Sequence, residues 1–338
     1  SRGLGDVYKR QRMNAVDHNN VVIFDDRGIP SIMCRFVRPK DTEEVPAVFK
    51  IGDKVADAIY ISKYPNIVID GRAYSMPMAD PTVNITFDGA VQACRCKGLG
   101  WHLMTAVEYE YLLNQSREKG TMPHGNTDWG KDYYHNDEQG KVSNLGRTYT
   151  GTGPVTWNHD HTPYGVSDLN GNVWEWLAGL RIKDGVIEFI PDNKAASPYC
   201  DLSKDSAEWQ QAETSKGPVR ANVECGEITI TDAVAADDYE PDYDGVRIEK
   251  LEVELSEIPQ VLKDLGIIPD KRAEEEGKTY VYFDATEGEY MPVRGSAFSN
   301  TSNSGPSALY LPGPRSHSND AFGFRSAFYE VNGKLITE

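Results

Sequence analysis

The chain has 338 residues, of which 39% are hydrophobic and 10% aromatic, which is enough apolar material for one large domain or two of ordinary size. Its formal net charge of −17, without a cluster of lysine and arginine, disfavours binding to a nucleic-acid backbone or an anionic membrane. No apolar run approaches the ~18 residues of a membrane-spanning helix, so we expect no membrane insertion.

The N-terminal residues are polar, aperiodic and basic, and we expect residues 1–20 to form a flexible leader before a domain at 21–338. They contain no apolar segment typical of a signal peptide, so an extracellular role would need another export route, such as cell lysis. From Val21 to Val37, short β-branched runs interrupted by Gly and Pro predict strands joined by turns.

Two helices are predicted next. Between Thr86 and Gly98, apolar residues recur at helical spacing and a glycine ends the run. Thr105 is followed three residues later by Glu108, which is a capping box, and the helical pattern then continues to Gly120. Both helices are expected to be scaffold.

Residues 121–165 lose this periodicity but contain aromatic residues that favour a stretch held by specific contacts, namely Trp129, Tyr133, Tyr134, Tyr149 and Trp157. Residues 183–289 are acidic and rich in turns, and we interpret them as an insertion. Within it, a strand pattern changes to a short helix near Ser256.

The most specific string is YGVSDLNGNVWEW, from Tyr164 to Trp176, in which a polar turn can gather carboxylate and carbonyl oxygens around one point. With GLGWHLMTAVEYEYL upstream and VRG and GFRSAF near the end, it resembles the formylglycine-generating enzyme (sulfatase-modifying factor) family over about Phe49 to Phe328. The resemblance implies an α+β variant of the C-type lectin fold, with two helices, short antiparallel strands and much irregular loop.

The same resemblance implies a structural calcium ion held by the side chains of Asp168 and Glu175 and the carbonyls of Gly171 and Val173. The string is not an EF-hand, because Val173 replaces the turn glycine. The alternative is a buried Glu175 paired with Arg294 or Arg325. No other cofactor is expected, and Trp174 and Trp176 are expected in the core.

Enzymes of this family oxidise a substrate cysteine through two copper-binding cysteines, whose positions fall near Asn300 and Gly305 here. No cysteine occurs between Gly295 and Phe322, and Cu(I) requires thiolate ligands, so we expect no enzyme activity. The five cysteines show no zinc-type spacing and are expected to be free thiols in a reducing compartment. The seven histidines are scattered along the sequence.

From Val293 to Tyr329 the sequence contains no Lys, Glu, Gln, Met or Trp, and its residue types all have codons ending in a pyrimidine. This composition resembles the variable regions of diversity-generating retroelement target proteins, in which adenines of a template are randomised. The resemblance implies a hypervariable segment at 294–328 in which ligand-binding and framework positions alternate. The expected ligand-binding residues are Ala297, Ser299, Asn300, Thr301, Ser302, Ser304, Ser307, Tyr310, Pro312, Gly313, Pro314, His317, Asn319, Asp320 and Phe322. The expected framework residues are Arg294, Gly295, Phe298, Gly305, Ala308, Leu309, Leu311, Arg315, Ser316, Gly323, Phe324 and Arg325.

These patterns predict a non-catalytic binding protein, a phage or prophage receptor-binding component whose variable face contacts a protein or glycan on a bacterial surface. Such a component would act on the virion or at the cell exterior after synthesis in the cytoplasm, and attachment to a larger particle would fit that role. Two alternatives stay open: a copper oxidase of the formylglycine-generating type, and a ligand-binding protein displayed on a bacterial surface.

Overall fold

The computed structural model describes residues 19–268 and 279–335, and these residues adopt the predicted α+β fold, with short strands, few helices and much irregular loop. The predicted leader lies outside the described residues except for its last two positions. The first strand already begins at Asn20, whose side chain is buried, so the ordered domain starts slightly earlier than expected.

The two predicted helices are confirmed as α1 (Phe87–Arg95) and α2 (Ala106–Lys119). The Thr105 hydroxyl accepts a hydrogen bond from the Glu108 amide at 3.2 Å, and the Glu108 carboxylate accepts one from the Thr105 amide at 2.9 Å. This reciprocal capping box satisfies amides that would otherwise lack a partner. A third helix, α3 (Gln260–Asp264), begins after Pro259, slightly later than the short helix predicted near Ser256.

The strands, numbered in chain order, form two larger sheets and three two-stranded ribbons within the described ranges. The smaller of the two sheets joins both ends of the domain and has the order β1–β2–β5–β23–β24, with β8 beside β23. Its strands are β1 (Asn20–Phe24), β2 (Pro30–Val37), β5 (Ala58–Ser62), β8 (His102–Leu103), β23 (Ser326–Val331) and β24 (Lys334–Leu335). The ribbons are β3 (Lys50–Ile51) with β4 (Lys54–Val55), β6 (Ile67–Ile69) with β7 (Arg72–Tyr74), and β13 (Glu213–Thr214) with β14 (Gly217–Pro218).

The larger sheet carries the segment predicted to vary, and its main order is β17–β19–β21–β20–β10–β11–β15–β16–β18. The first half of its strands comprises β9 (Trp174–Trp176), β10 (Leu180–Lys183), β11 (Val186–Phe189), β12 (Gln210–Gln211), β15 (Arg220–Glu224) and β16 (Glu227–Thr231). The second half comprises β17 (Tyr243–Arg247), β18 (Glu252–Glu254), β19 (Tyr280–Asp284), β20 (Glu289–Arg294), β21 (Leu309–Pro314) and β22 (Phe322–Phe324). Most pairs of adjacent strands are antiparallel as expected, but the pairs β16–β18, β19–β21 and β9–β22 are parallel.

The region interpreted as an insertion, residues 183–289, is part of this larger sheet. Its strand β19 lies parallel to β21, with Val281 beside Leu309 and Tyr282 beside Tyr310. On the other side of β19, β17 runs antiparallel and places Tyr243 opposite Asp284. The insertion therefore forms the edge of the sheet directly beside the predicted variable segment.

The irregular stretch at 121–165 is held mainly by polar contacts, and of its predicted aromatic anchors only Trp157 is buried. The Asn126 side-chain amide donates to the Gly146 carbonyl at 2.9 Å, and the Asp132 carboxylate accepts from the Gly125 backbone amide at 2.9 Å. Trp129, Tyr133 and Tyr134 instead remain exposed. Within the described ranges, every helix is too short or too polar to cross a membrane.

Candidate ligand-binding face

Buried arginines hold both ends of the predicted variable segment in place. The Arg294 guanidinium bonds the Glu110 carboxylate at 2.7 Å, donates to the Ser307 carbonyl at 3.3 Å and lies 5.0 Å from the centre of the Tyr109 ring. Removing one partner of such a buried ion pair typically lowers the stability of a protein by about 3–5 kcal/mol, because the other charge stays buried without compensation. Arg294 thus attaches the start of the segment to helix α2.

Arg325 does the same at the end of the segment. Its guanidinium is fully buried and donates to both Glu175 oxygens, at 2.8 and 2.6 Å. It also donates to the carbonyls of Ser62 and Ser167, at 2.8 and 2.9 Å. Arg294 and Arg325 are both buried, as suits the framework role expected of them, and Glu175 is the partner of Arg325.

The third arginine of the segment, Arg315, is also held by carboxylates. It contacts both oxygens of Glu289 at 3.0 Å and one oxygen of Asp88 at 2.7 Å. Burial alone would raise the pKa of Glu289, but the hydrogen bonds and positive charges of Arg315 and Arg181 outweigh it and lower this pKa below the usual range. The positive charges of Arg294, Arg315 and Arg325 are therefore all engaged within the scaffold.

Most of the predicted ligand-binding residues reach the surface. Ser299, Pro314 and Asp320 are exposed. A larger group is partly exposed: Asn300, Thr301, Ser302, Tyr310, Pro312, His317 and Asn319. Among the framework positions, Ser316 is exposed, contrary to its predicted role.

Five of the predicted ligand-binding residues are buried, and for these the expectation of a surface position is wrong: Ala297, Ser304, Ser307, Gly313 and Phe322. The Phe322 ring packs 5.2 Å from that of Trp176. The Ser304 hydroxyl donates to the Thr301 carbonyl at 2.6 Å, while the Ser307 hydroxyl accepts from Arg117 at 3.1 Å. Ala297 belongs to the apolar core, and Gly313 lies against Trp176.

The accessible residues form two neighbouring groups, the loop 299–303 and the residues on β21 and at 317–320. Tyr282 lies between them, because its ring lies 5.5 Å from that of Tyr310 and its side chain lies beside that of Asn303. His317 packs 5.0 Å from the Phe322 ring and bonds the Asn319 side chain at 3.2 Å. The accessible candidate positions are thus brought together rather than scattered.

Two glycines allow the loop to leave β20 and return to the sheet. Gly295 has a φ of 89°, and a β-carbon there would lie 2.5 Å from the Leu169 carbonyl oxygen. Gly305 has a φ of 158°, and its β-carbon would lie 2.1 Å from the Thr279 hydroxyl. A cysteine at position 305, near which one of the family's copper-binding positions falls, therefore does not fit the present loop.

The sequence did not reveal a small cleft beside this loop. It has a volume of about 60 Å³ and is lined by His124, His135, Tyr134, Ser304 and Gly305, among others. The rings of His124 and His135 stack 3.6 Å apart, and that of His161 lies 5.7 Å from His124. These three histidines are distributed over a long irregular stretch, so only the tertiary fold shows their proximity.

A calcium ion does not fit the turn between Asp168 and Glu175 as it is arranged here. Both Glu175 oxygens are occupied by Arg325, whose charge would repel a cation. The Gly171 carbonyl accepts from the Val173 amide at 2.8 Å, and burial raises the pKa of Asp168 to about 6. Across residues 19–268 and 279–335, no three His, Cys, Asp or Glu side chains are arranged to hold a metal ion.

Instead, the turn supports the base of the face. The Gly171 amide donates to the Gly295 carbonyl at 2.6 Å, and the Asn172 amide donates to the Asn126 carbonyl at 2.7 Å. The Asn172 side chain accepts from the Thr148 amide at 2.8 Å. Trp174 and Trp176, on the strand that follows, are buried as predicted. The most specific string of the sequence thus acts as scaffold.

Parts of this sequence and structure are similar to those of known proteins. The formylglycine-generating enzyme of Mus musculus is 36% identical over 105 residues, which make up 29% of this chain and 27% of the enzyme. Two solved structures are also similar. Treponema denticola variable protein 1 has 11% identity, with 93% of this chain and 100% of that chain covered and a TM-score of 0.35. The Major Tropism Determinant P3c variant has 12% identity, with 93% and 64% covered and a TM-score of 0.32.

A family profile covers far more of the chain than the mouse enzyme does. Residues 62–328 match the sulfatase-modifying factor enzyme 1-like domain, a range that includes both long helices, the Asp168–Glu175 turn and the whole predicted variable segment. The chain belongs to the family of sulfatase-modifying factor enzyme 1-like domains.

Proposed function

We propose that this chain is a non-catalytic binding protein whose hypervariable C-terminal surface recognises a protein or glycan on a bacterial surface. It would serve as a receptor-binding component of a phage or prophage and act on the virion or at the cell exterior. The observation that carries the proposal is the contiguity of the accessible candidate positions, joined through Tyr282, Tyr310 and Asn303.

The scaffold below this face supports the same function. The buried ion pairs of Arg294 and Arg325 hold both ends of the segment without involving the exposed side chains. Surface substitutions away from such features typically change stability by less than about 0.5 kcal/mol. A fold with this arrangement tolerates replacement of its recognition residues, which a hypervariable binding protein requires.

The copper-oxidase alternative is less well supported. The sequence lacks cysteine between Gly295 and Phe322, and Gly305 has no room for a side chain. The other alternative, display on a bacterial surface, uses the same binding face. The two proposals differ only in whether a bacterial cell or a phage particle carries the protein.

Binding of the fluorescently labelled protein to a panel of bacterial strains, measured by flow cytometry, tests the proposal. A variant with five accessible positions replaced by other residue types found in the variable segment should lose binding to any strain that the natural protein labels. Those positions are Ser299, Thr301, Tyr310, His317 and Asp320. A control with Tyr199 and Glu249 replaced should retain binding, since both are exposed and lie outside the variable segment. Binding that survives the five replacements would contradict the proposal.

A further inference from the structure

The face described above continues beyond the variable segment onto the strands β17 and β19. Paired residues of neighbouring strands point to the same side of a sheet. The register therefore places Arg247 beside Tyr280, Gly245 beside Tyr282, and Tyr282 beside Tyr310 on one side. The alternate residues Val246, Val281 and Phe283 are buried in the core on the other side. The outer side of this edge is consequently rich in tyrosine.

These tyrosines form a continuous row. The rings of Tyr280 and Tyr282 stack 5.8 Å apart, and the Tyr282 ring lies 5.5 Å from that of Tyr310. A β-carbon on Gly245 would lie 2.2 Å from the Tyr282 ring, so the glycine provides the space in which this ring rests. At the start of β17, Tyr243 is 63% exposed. Fixed residues outside the variable segment therefore extend its surface.

The row also contacts the loop that is expected to vary. The Tyr282 side chain lies beside that of Asn303. The Tyr134 hydroxyl, from the irregular stretch at 121–165, donates to the Ser302 carbonyl of the same loop at 3.0 Å. Burial raises the pKa of Tyr282 and of Tyr310, so both phenols are neutral at ordinary pH. The fixed tyrosines and the variable residues form one surface rather than two.

The charge beside this row is negative. Between Arg220 and Arg247 the sequence contains eight Asp and Glu residues and neither Lys nor Arg. Four of the carboxylates lie exposed in the loop that enters β17, at Asp237, Asp238, Glu240 and Asp242. Arg247 keeps a positive charge over the Tyr280 ring, at 5.6 Å and at the end of β17 away from this loop, whereas the arginines of the variable segment are paired in the scaffold. An anionic polysaccharide would be repelled here, whereas a cationic partner would be attracted.

We propose that Tyr243, Tyr280 and Tyr282, with the acidic loop 237–242, form a fixed docking surface for a polypeptide segment rich in lysine and arginine. This inference rests on the proposed binding function and names the chemistry of the partner. Tyrosine rings provide rigid contact area at low entropic cost and attract cations to their faces. The exposed carboxylates steer a basic segment toward the rings. The variable residues beside them then select among basic partners.

Selection of a displayed library of random 12-residue peptides on the immobilised protein tests this surface, with an array of neutral and anionic glycans in parallel. The enriched peptides should contain an excess of Lys and Arg. As synthetic peptides they should bind roughly tenfold more weakly to Tyr243→Ser and to the double variant Asp237→Asn with Asp238→Asn. Tyr199→Ser is the matched control, because Tyr199 is also an exposed tyrosine but belongs to another part of the surface, and it should leave affinity unchanged.

Salt provides a second readout. Because exposed charges are screened beyond about 10 Å at 0.1 M ionic strength, affinity should fall as salt is raised, and the Asn double variant should show a weaker dependence. Enrichment of neutral or acidic peptides, binding of glycans alone, no enrichment, or equal affinity in Tyr243→Ser would each overturn the inference. If the Tyr243 and Asp variants bind normally while replacement of Tyr310 and His317 abolishes binding, the inference fails but the proposed function stands.

Discussion

Replacement of Arg325 by alanine tests whether the variable segment rests on a rigid scaffold. The guanidinium is fully buried and holds both oxygens of Glu175, at 2.8 and 2.6 Å. Removing one partner of a buried ion pair typically costs about 3–5 kcal/mol, because the other charge is left without compensation. The Ser62, Lys63 and Ser167 carbonyls would lose a donor as well. We therefore expect Arg325→Ala to lower the free energy of unfolding by about 4 kcal/mol or more.

Equilibrium unfolding in urea, followed by tryptophan fluorescence, measures this loss. Arg27→Ala is the matched control, because Arg27 is exposed, and it should change the free energy of unfolding by less than about 0.5 kcal/mol. Combining Arg325→Met with Glu175→Leu should recover the part of the loss that is due to the lone carboxylate. A loss below about 1 kcal/mol for Arg325→Ala would refute the assignment of this ion pair as a structural anchor.

Three further predictions concern the face, the turn and two buried titrating groups. Joint replacement of the accessible variable positions by other residue types found in the variable segment should leave the urea midpoint of unfolding nearly unchanged. A loss of free energy of unfolding as large as that expected for Arg325→Ala would contradict this. Those positions are Ser299, Thr301, Tyr310, His317 and Asp320. A calcium chelator should leave the melting temperature unchanged, since Arg325 already neutralises Glu175, and a clear decrease would indicate a bound ion. Burial raises the pKa of Asp168 from 3.8 to about 6 and lowers that of His159 from 6.5 to about 4. Between pH 7 and 5, proton uptake by folded Asp168 stabilises the protein while proton uptake by unfolded His159 destabilises it. In Asp168→Asn the free energy of unfolding should therefore fall more steeply from pH 7 to 5, and an unchanged slope would contradict this.

Local features were predictable from the sequence because neighbouring residues determine them. The capping box of α2 needs only Thr105 and Glu108, and both hydrogen bonds are present. The burial of Trp174 and Trp176 follows from their apolar rings in a specific motif. The burial of Arg294 and Arg325 followed from the family resemblance, whereas the choice of Arg325 rather than Arg294 for Glu175 depended on the tertiary fold.

The features that the sequence could not provide depend on contacts between distant segments. The parallel pairing of β19 with β21 places Tyr282 beside Tyr310, and no local pattern specifies that neighbour. The residue composition marks Phe322 and Ser304 as variable just as it marks the exposed Ser299. In the structure, however, Phe322 is buried against Trp176, and Ser304 is buried with its hydroxyl bonded to the Thr301 carbonyl. Composition indicates which codons occur, whereas burial depends on the fold.

Sequencing of the genomic locus tests the central claim, that residues 294–328 are a diversified binding surface, most directly. The account predicts a nearby repeat of the DNA that encodes this segment, differing from it only at positions where the repeat has adenine. The differences should fall in codons of accessible residues such as Ser299, Tyr310 and Asp320, and not in those of Arg294 or Arg325. A locus without such a repeat, or a repeat whose differences involve all four bases equally, would contradict the account.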